Sequence, residues 1–237
     1  MKVLIDIVLL LIIALCIWGG YKKGLIMGVG GILAILIAVY GGMLVSGAYS
    51  NEVVTAFQPF VSGYVESQVQ EQARADLGLA DDERSLADLF EEDPTLQEKY
   101  MKACYEEFGI YSRTADKLAN ETMDYMESEE VSAEDAVCTV LCQKLTYALF
   151  FLLAFILILI ILTVLGNIPN LTYKIPNMDT LNNVGGLVAG IVRGVLLCSV
   201  LVWALKFMGI FLGDALSHTL LARLLLNLNF LTPWIGF

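Results

Sequence analysis

Two ionisable residues that fall within long apolar stretches are the first candidates for chemistry in this chain. Asp6 lies about one turn into the first stretch, and Lys206 lies near the end of the last one. If the chain crosses a bilayer four times, both residues fall on the same membrane face at similar depth, where pairing would relieve each charge of exposure to lipid. Such a pair would serve a proton- or ion-coupled site or a substrate path. We favour the simpler interpretation, in which Asp6 lies among the headgroups and Lys206 extends to the membrane surface.

The other reactive residue types show no catalytic pattern. The single histidine, His218, has no serine or cysteine arranged around it, and the sequence lacks a phosphate-binding loop, a zinc-protease motif and a GxSxG elbow. Acidic runs lack the spacing of a calcium loop, and no cysteine spacing resembles a zinc site. We therefore expect no enzymatic activity, no cofactor and no metal. Two of the cysteines, Cys16 and Cys198, fall in apolar stretches as small packing residues, and the other three are Cys104, Cys138 and Cys142.

Glycines spaced four residues apart occur in two apolar stretches and predict surfaces for close helix packing. One series lies in LNNVGGLVAGIVRGV, residues 181–195, and a shorter one lies in GGYKKGLIMG near the start. On a helix this spacing forms a smooth stripe that another backbone can approach closely, which is how helices associate in lipid. A basic residue precedes a glycine in each series, and we place both, Lys23 and Arg193, at the membrane interface. The predicted packing residues are Gly20, Gly24, Gly28, Gly186, Gly190 and Gly194.

The composition is that of a membrane protein with one acidic insertion. The 237 residues are 57% hydrophobic, with a mean hydropathy of +0.71, which is too apolar for an ordinary soluble domain. Residues 50–145 carry 22 of the 25 acidic residues but only 7 of the 14 basic ones, so this segment has a net charge of −15 and the remainder +4. The acidity argues against nucleic acid as a partner.

Four stretches are long and apolar enough to cross a bilayer as helices: residues 3–18, 25–45, 145–165 and part of 181–212. No cleavage site follows the first, so we interpret it as a retained span rather than a signal peptide. For the fourth we favour a span over about 194–212, with Arg193 at the interface and 181–192 tilted or partly re-entrant, because an arginine deep in lipid is costly. The alternative is an uninterrupted helix from Leu181 whose arginine faces a protein or water interior.

The predicted fold is therefore all-α. It is a polytopic membrane protein with about four transmembrane helices in two hairpins, a helical acidic extramembrane insert, and a C-terminal amphipathic helix lying in the interface with Trp234 at headgroup level. The predicted regions are hairpin 1 at 1–48, the insert at 49–144, hairpin 2 at 145–213 with its glycine-rich segment 181–194, and the interfacial helix at 214–237.

Capping signals predict the helices of the insert. Asp93-Pro94 starts a helix that ends before Gly109, and Ser112 caps another that runs to Met126. The capping box beginning at Ser132 starts a helix that continues into the third span. Residues 51–77 are helical with a weak point near the proline at 59. The predicted core of the insert consists of Phe57, Phe60, Tyr64, Leu86, Leu89, Phe90, Tyr100, Phe108, Tyr111, Leu118 and Met123.

Basic residues near the span ends give a weak orientation signal. One side has four of them and the other has three, so we place the tight loops inside, with the termini and the acidic insert outside the cytoplasm. The four are Lys22, Lys23, Lys174 and Arg193, and the three are Lys2, Lys144 and Arg223.

The pattern of an early Asp6, Lys23-Gly24, and later Leu181-Asn182…Gly186…Gly190…Arg193-Gly194 resembles the CvpA family, the colicin V production proteins. The resemblance covers residues 1–48 and 146–235. It implies a small bacterial inner-membrane protein with about four spans, associated with production or export of a bacteriocin and with envelope function. The long acidic insert departs from the family, whose members are usually much shorter there, and this puts a colicin-specific role in doubt.

Three functions fit these observations. The first is a CvpA-type protein that assists export or maintains the envelope, with its insert meeting an unknown protein partner. The second is an oligomeric transporter or channel for a small solute or ion, in which two similar hairpins surround a path. Four spans are few for a transporter, so this function requires a homo-oligomer. The third is a membrane scaffold that binds a partner through the insert.

Overall fold

The all-α prediction is confirmed in the part of the chain that the structure, a computed structural model, describes. That part comprises residues 2–79, 84–167, 179–207 and 219–228, and no strand occurs within it. The predictions for His218, Trp234 and Lys174 lie outside the described residues. The helices are α1 (Lys2–Tyr64), α2 (Glu71–Asp76), α3 (Leu86–Glu92), α4 (Pro94–Glu107), α5 (Ser112–Glu129), α6 (Ala133–Asn167), α7 (Asp179–Leu205) and α8 (Leu220–Leu228), with a π-helix at Val65–Gln70 between α1 and α2.

The chain divides into two compact units. The first, here called the apolar unit, comprises residues 1–48, 149–205 and 215–237. The second, here called the insert unit, comprises residues 49–148 and 206–214. Two helices, α1 and α6, contribute residues to both units, because each continues from apolar sequence into the acidic segment without a loop.

The long helix α1 is interrupted at one residue. Gly24 has φ 82° and ψ 178°, a conformation outside the helical region, and it separates a first arm (residues 2–23) from a second arm (residues 25–64). Glycine adopts positive φ at little steric cost because it has no Cβ. The two predicted spans near the N-terminus therefore lie on the two arms.

Three helices in the described ranges are long and apolar enough to cross a membrane. They are Leu4–Asp76, which includes both arms of α1, Ala133–Gly166 and Asp179–Leu205. The predicted number of four crossings counts the two arms of α1 separately, and it stays a prediction.

The re-entrant segment predicted before Arg193 is not observed, whereas the depth of Arg193 in the membrane stays a prediction. Helix α7 runs without interruption from Asp179 to Leu205, so residues 181–192 are neither re-entrant nor separate from the span. Arg193 lies near the middle of this helix. The glycine spacing does not break the helix, because the backbone packs closely against other helices and contacts offset the low helix propensity of glycine.

Capping explains where most helices of the insert begin. The Ser85 hydroxyl accepts a hydrogen bond from the Asp88 amide at 3.2 Å, and the Asp93 carboxylate accepts one from the Thr95 amide at 3.0 Å. At the predicted capping box, the Ser132 hydroxyl accepts from the Asp135 amide at 3.2 Å and donates to the Asp135 carboxylate at 2.8 Å. Each cap satisfies an amide that the first turn leaves unpaired.

Two details of these helices differ from the prediction. Ser112 is the first residue of α5 rather than its cap, and its hydroxyl donates to the Glu106 carboxylate at 2.6 Å. The helix also extends past Met126 to Glu129, where Glu130 ends it with φ 53°. The predicted end of α4 near Gly109 is observed, since this glycine has φ 86° two residues after the last residue of the helix.

The insert unit has its own hydrophobic core, packed around α4. Helix α4 contacts α2, α3, α5 and the π-helix. Part of the predicted core is wrong, because Phe57 is 41% exposed and Phe60 is 80% exposed on the second arm. The core prediction missed several residues that fill the interior: Met101, Cys104, Tyr105, Ala115, Ala119, Val137, Cys138 and Leu141.

The core contains thiol and phenol groups whose pKa values folding raises. Burial raises the pKa of the Cys104 thiol to about 12, and it also raises the pKa of the Tyr100 and Tyr105 hydroxyls. The Tyr105 hydroxyl shares a hydrogen bond with the Thr122 hydroxyl, and neither side chain is accessible to solvent. These groups favour the neutral form in the folded state, because a buried charge would lose its hydration.

We therefore expect the insert to lose stability as the pH rises above about 9. A folded pKa raised above its unfolded value leaves stability intact below the unfolded pKa and lowers it as the pH rises through the folded one. An alkaline titration of the full-length protein in detergent, followed by circular dichroism and tyrosinate absorbance, should show delayed tyrosine ionisation that coincides with loss of helix. Tyr105→Phe should reduce the protons linked to unfolding by about one, because the Tyr105 hydroxyl is buried and its pKa is raised. Ionisation of all ten tyrosines with no loss of helix would contradict this expectation.

Candidate functional site

The described contacts of the apolar unit converge on α7, whose glycine stripe faces the first arm. A Cβ at Gly190 would lie 2.6 Å from the Cys16 carbonyl oxygen, and a Cβ at Gly194 would lie 3.0 Å from the Cα of Ile13. Further along, the Cys198 thiol lies 3.6 Å from the Leu9 carbonyl oxygen. As residue numbers rise along α7 they fall along the first arm, so the two helices are antiparallel and in backbone contact.

Gly20 and Gly186 form the closest crossing between these helices. A Cβ on either glycine would collide with the carbonyl oxygen of the other. This reciprocal arrangement is typical of glycine-mediated helix pairs, in which backbones approach until Cα–H groups meet carbonyl oxygens. Any side chain larger than hydrogen at either position must separate the helices.

The second arm contacts a neighbouring face of α7 in the opposite direction. A Cβ at Gly185 would meet the Leu25 side chain at 2.9 Å, and a Cβ at Gly28 would meet the Cβ of Ala189 at 2.7 Å. One turn further, the Arg193 side chain lies against Gly31. Residue numbers here rise together, so the chain reverses direction along α7 at Gly24.

Asn182 holds this reversal in place. Its side-chain oxygen accepts a hydrogen bond from the Leu25 amide at 3.0 Å, and its amide group occupies the space beside Gly24 that a Cβ would need. The Asn182 side chain is 1% exposed. It therefore caps the second arm from another helix, and it satisfies one of the amides that a helix start leaves without a partner.

Asp6 has a similar capping role at the start of α8. Its carboxylate accepts hydrogen bonds from the Leu221 amide at 3.1 Å and the Leu220 amide at 3.3 Å. A carboxylate at a helix N-terminus is stabilised by the free amides and by the helix dipole. The first turn of the chain and its last described helix are therefore joined through one side chain.

Lys206 is buried, and the predicted extension of its side chain to the membrane surface stays a prediction. Its side chain is 5% exposed, and its ammonium lies 4.7 Å from the centre of the Phe207 ring. It follows the end of α7 and belongs to the insert unit, where its charged neighbours are Lys117, Lys144 and Glu121. Asp6 belongs to the apolar unit, and the pairing of Asp6 with Lys206 stays a prediction.

The two basic residues of the glycine motifs lie on the wall of one cavity. Lys23 is exposed and directly precedes the reversal at Gly24, whereas Arg193 is half-buried in the middle of α7. Both border a space of about 150 Å³ within the apolar unit. The neighbouring Lys22 lies outside this lining, with its ammonium 4.2 Å from the centre of the Trp18 ring.

The cysteines serve packing in the regions that the structure describes. Cys104, Cys138 and Cys142 are buried in the insert unit, and Cys198 is buried in the apolar unit. No group of three histidine, cysteine or acidic side chains with the geometry of a metal site occurs among the described residues.

Sequence reasoning identified the glycines but not the role of Asn182. The asparagine stood out only as part of a family pattern, since a polar residue at the start of a helix is ordinary. A usable signal was its spacing of four from Gly186, which places it on the glycine stripe.

Comparison with known protein families gives a match to part of the chain. A family model described as Colicin V production protein matches residues 111–229, a range that begins in the insert and continues through α6, α7 and α8. No curated protein and no solved structure matches the chain.

Replacing Gly190 should separate α7 from the first arm. In Gly190→Leu the new side chain meets the backbone of Cys16 and Ile17, and overpacking of this kind costs about 1–3 kcal/mol or more. We expect the melting temperature of the purified protein in detergent to fall by several degrees. Gly19→Leu is the matched control, because a Cβ at Gly19 meets nothing within 4 Å. Equal melting temperatures for the two variants would contradict the packing role.

Removing the Asn182 side-chain oxygen should loosen the start of the second arm. Loss of a cap of this type costs about 1 kcal/mol, so Asn182→Leu should increase amide hydrogen exchange at residues 25–28 roughly fivefold. The adjacent Asn183→Leu is the control, because Asn183 makes no contact with Leu25 or Gly24 in the described contacts. Unchanged exchange at Leu25 in Asn182→Leu would show that the cap does not stabilise the reversal.

Proposed function

Because the chain belongs to the colicin V production protein family and is a membrane protein, we propose that it assists export or maintains the cell envelope. The location is the bacterial cytoplasmic (inner) membrane, and the role is that of a non-enzymatic accessory protein of the bacteriocin- or toxin-production type. The termini and the acidic insert lie outside the cytoplasm in this proposal. The family match to residues 111–229 is the observation that carries it.

The insert unit supports a role in binding a protein partner. It has a core of its own, and its sequence gives it a large excess of negative charge. Glu127, Glu129 and Glu130 are exposed together at the end of α5. Exposed like charges do not stabilise a fold, but they attract a partner of opposite charge and exclude others of like charge. We propose that this partner presents a basic surface.

An export assay on bacteria that depend on this protein tests the proposal. Deletion of the gene should reduce the release of a bacteriocin or the resistance of the envelope to detergent, and the full chain should restore it. The triple variant Glu127→Gln, Glu129→Gln, Glu130→Gln should stay in the membrane but restore activity roughly threefold less well. At low salt the triple variant should cross-link less of the partner than the wild type does. The difference should shrink as salt rises, because salt screens exposed charges.

Lys99→Gln serves as the control, since it removes an exposed charge of opposite sign from the same unit. It should restore activity fully. Full restoration by the triple variant would exclude this surface as the partner site. Loss of solute flux in Asp6→Ala or Lys206→Ala protein that remains folded and inserted would favour a transporter instead.

A further inference from the structure

A small cavity in the apolar unit combines two cationic side chains with apolar ones. It has a volume of about 150 Å³ and lies between the second arm of α1, the end of α6 and the middle of α7. This volume is smaller than a pocket for a drug-sized ligand, roughly 300–1,000 Å³, so it suits a single chemical group. The lining residues are Lys23, Met27, Gly30, Gly31, Ala34, Leu162, Thr163, Gly166 and Arg193.

The charge of the lining is positive. Lys23 and Arg193 both border the cavity, and no carboxylate is found among its described lining residues. The Arg193 Nε atom is buried and has no hydrogen-bond partner within the described part of the chain. A buried guanidinium donor without an acceptor is costly. The site therefore favours an anion that can accept from it.

The direction of the Arg193 side chain brings the two charges to the same space. Side chains on a helix tilt toward its N-terminus, and on α7 that is the end where Asn182 meets Gly24. Arg193 extends over Gly31, and Lys23 reaches the same cavity from the reversal. Glycine at position 31 leaves room for this course, since a Cβ there would lie 3.0 Å from the guanidinium and would shift it.

Apart from Thr163, the remainder of the lining is apolar, and exposed apolar side chains lie nearby on the second arm. Met27, Ala34 and Leu162 complete the wall. On the same arm, Val29 is 44% exposed and Leu33 is 54% exposed, although both are fully apolar. Such residues on a membrane helix face hydrocarbon. A ligand here therefore meets positive charge at one end and lipid at the other.

We propose that this cavity binds the phosphate group of an anionic phospholipid, with the acyl chains lying along the apolar wall. A guanidinium binds phosphate through paired N–H donors, and a lysine ammonium adds a point charge. Basic pockets between transmembrane helices are suited to anionic headgroups in this way. The glycines at 30 and 166 leave the space open, since a Cβ on either meets nothing within 4 Å.

Native mass spectrometry of the full-length protein in a neutral detergent tests this site. Dioleoylphosphatidylglycerol should be retained at least tenfold more strongly than dioleoylphosphatidylcholine, whose choline cancels the phosphate charge. Arg193→Gln should abolish the preference, and Lys23→Gln should reduce it severalfold. Lys22→Gln removes a neighbouring charge that does not line the cavity, so it should leave the preference unchanged.

A second pair of variants tests the cavity rather than the charge. Gly30→Leu fills the cavity without meeting protein atoms at its Cβ, and both cations stay in place. It should lower retention of phosphatidylglycerol severalfold, whereas Gly19→Leu should not. This pair keeps the proposal testable if Arg193→Gln does not fold. Equal lipid retention by wild type, Gly30→Leu and Lys23→Gln would overturn the proposal.

A competition experiment with inorganic phosphate distinguishes a lipid phosphate from a free phosphate ion as the ligand of this cavity. A large excess of inorganic phosphate should displace phosphatidylglycerol only weakly, because it lacks the acyl chains that meet the apolar wall. If phosphate alone protects the protein against thermal unfolding as well as the lipid does, and loses this effect in Arg193→Gln, the site binds a free anion and the lipid assignment is wrong.

Discussion

The apolar unit depends on backbone-to-backbone contact between α7 and the two arms of α1. Apolar burial gives little drive for helix association in a lipid environment, so the contact distance itself must supply the attraction. The reciprocal fit of Gly20 and Gly186 brings the first arm and α7 close enough for this, and the contact of Gly28 with Ala189 does the same for the second arm. Asn182 then adds one directional bond where the glycines alone would permit sliding.

The same close packing explains how charged residues are accommodated among apolar helices. Three polar groups of the apolar unit are placed at a helix start or beside a glycine. Asp6 caps α8 and Asn182 caps the second arm, while Arg193 extends over a residue without a side chain. These polar groups therefore need small residues on the facing helix as well as hydrogen-bond partners.

Much of this architecture could be predicted from the sequence, because helix starts and packing stripes depend on local spacing. The Ser132 box, the Asp93-Pro94 start and the glycine series are each defined within a few residues. Burial of a side chain by helices distant in sequence could not be predicted in the same way. Phe60 is large and apolar yet exposed, whereas Cys104 and Tyr105 are enclosed because helices distant in sequence cover them.

The continuity of α7 was not predicted for a related reason. The cost of an arginine in lipid depends on what surrounds its side chain, and the sequence of one helix does not show those surroundings. In the structure Arg193 borders a cavity shared with the second arm and α6, so its surroundings are set by residues far away in the chain. Only the three-dimensional arrangement shows that the segment before the arginine belongs to the same helix.

The cap on the second arm has a consequence for the order of events during synthesis. The Leu25 amide and the Asn182 side chain are separated by 157 residues. At a translation rate of about 5–20 residues per second, the ribosome makes the asparagine roughly 8–30 s after the turn that it caps. During that interval the Leu25 amide lacks this cap, and the first arm lacks the helix that its glycine at position 20 contacts. The contacts that fix the reversal at Gly24 therefore form only after most of the chain has been made.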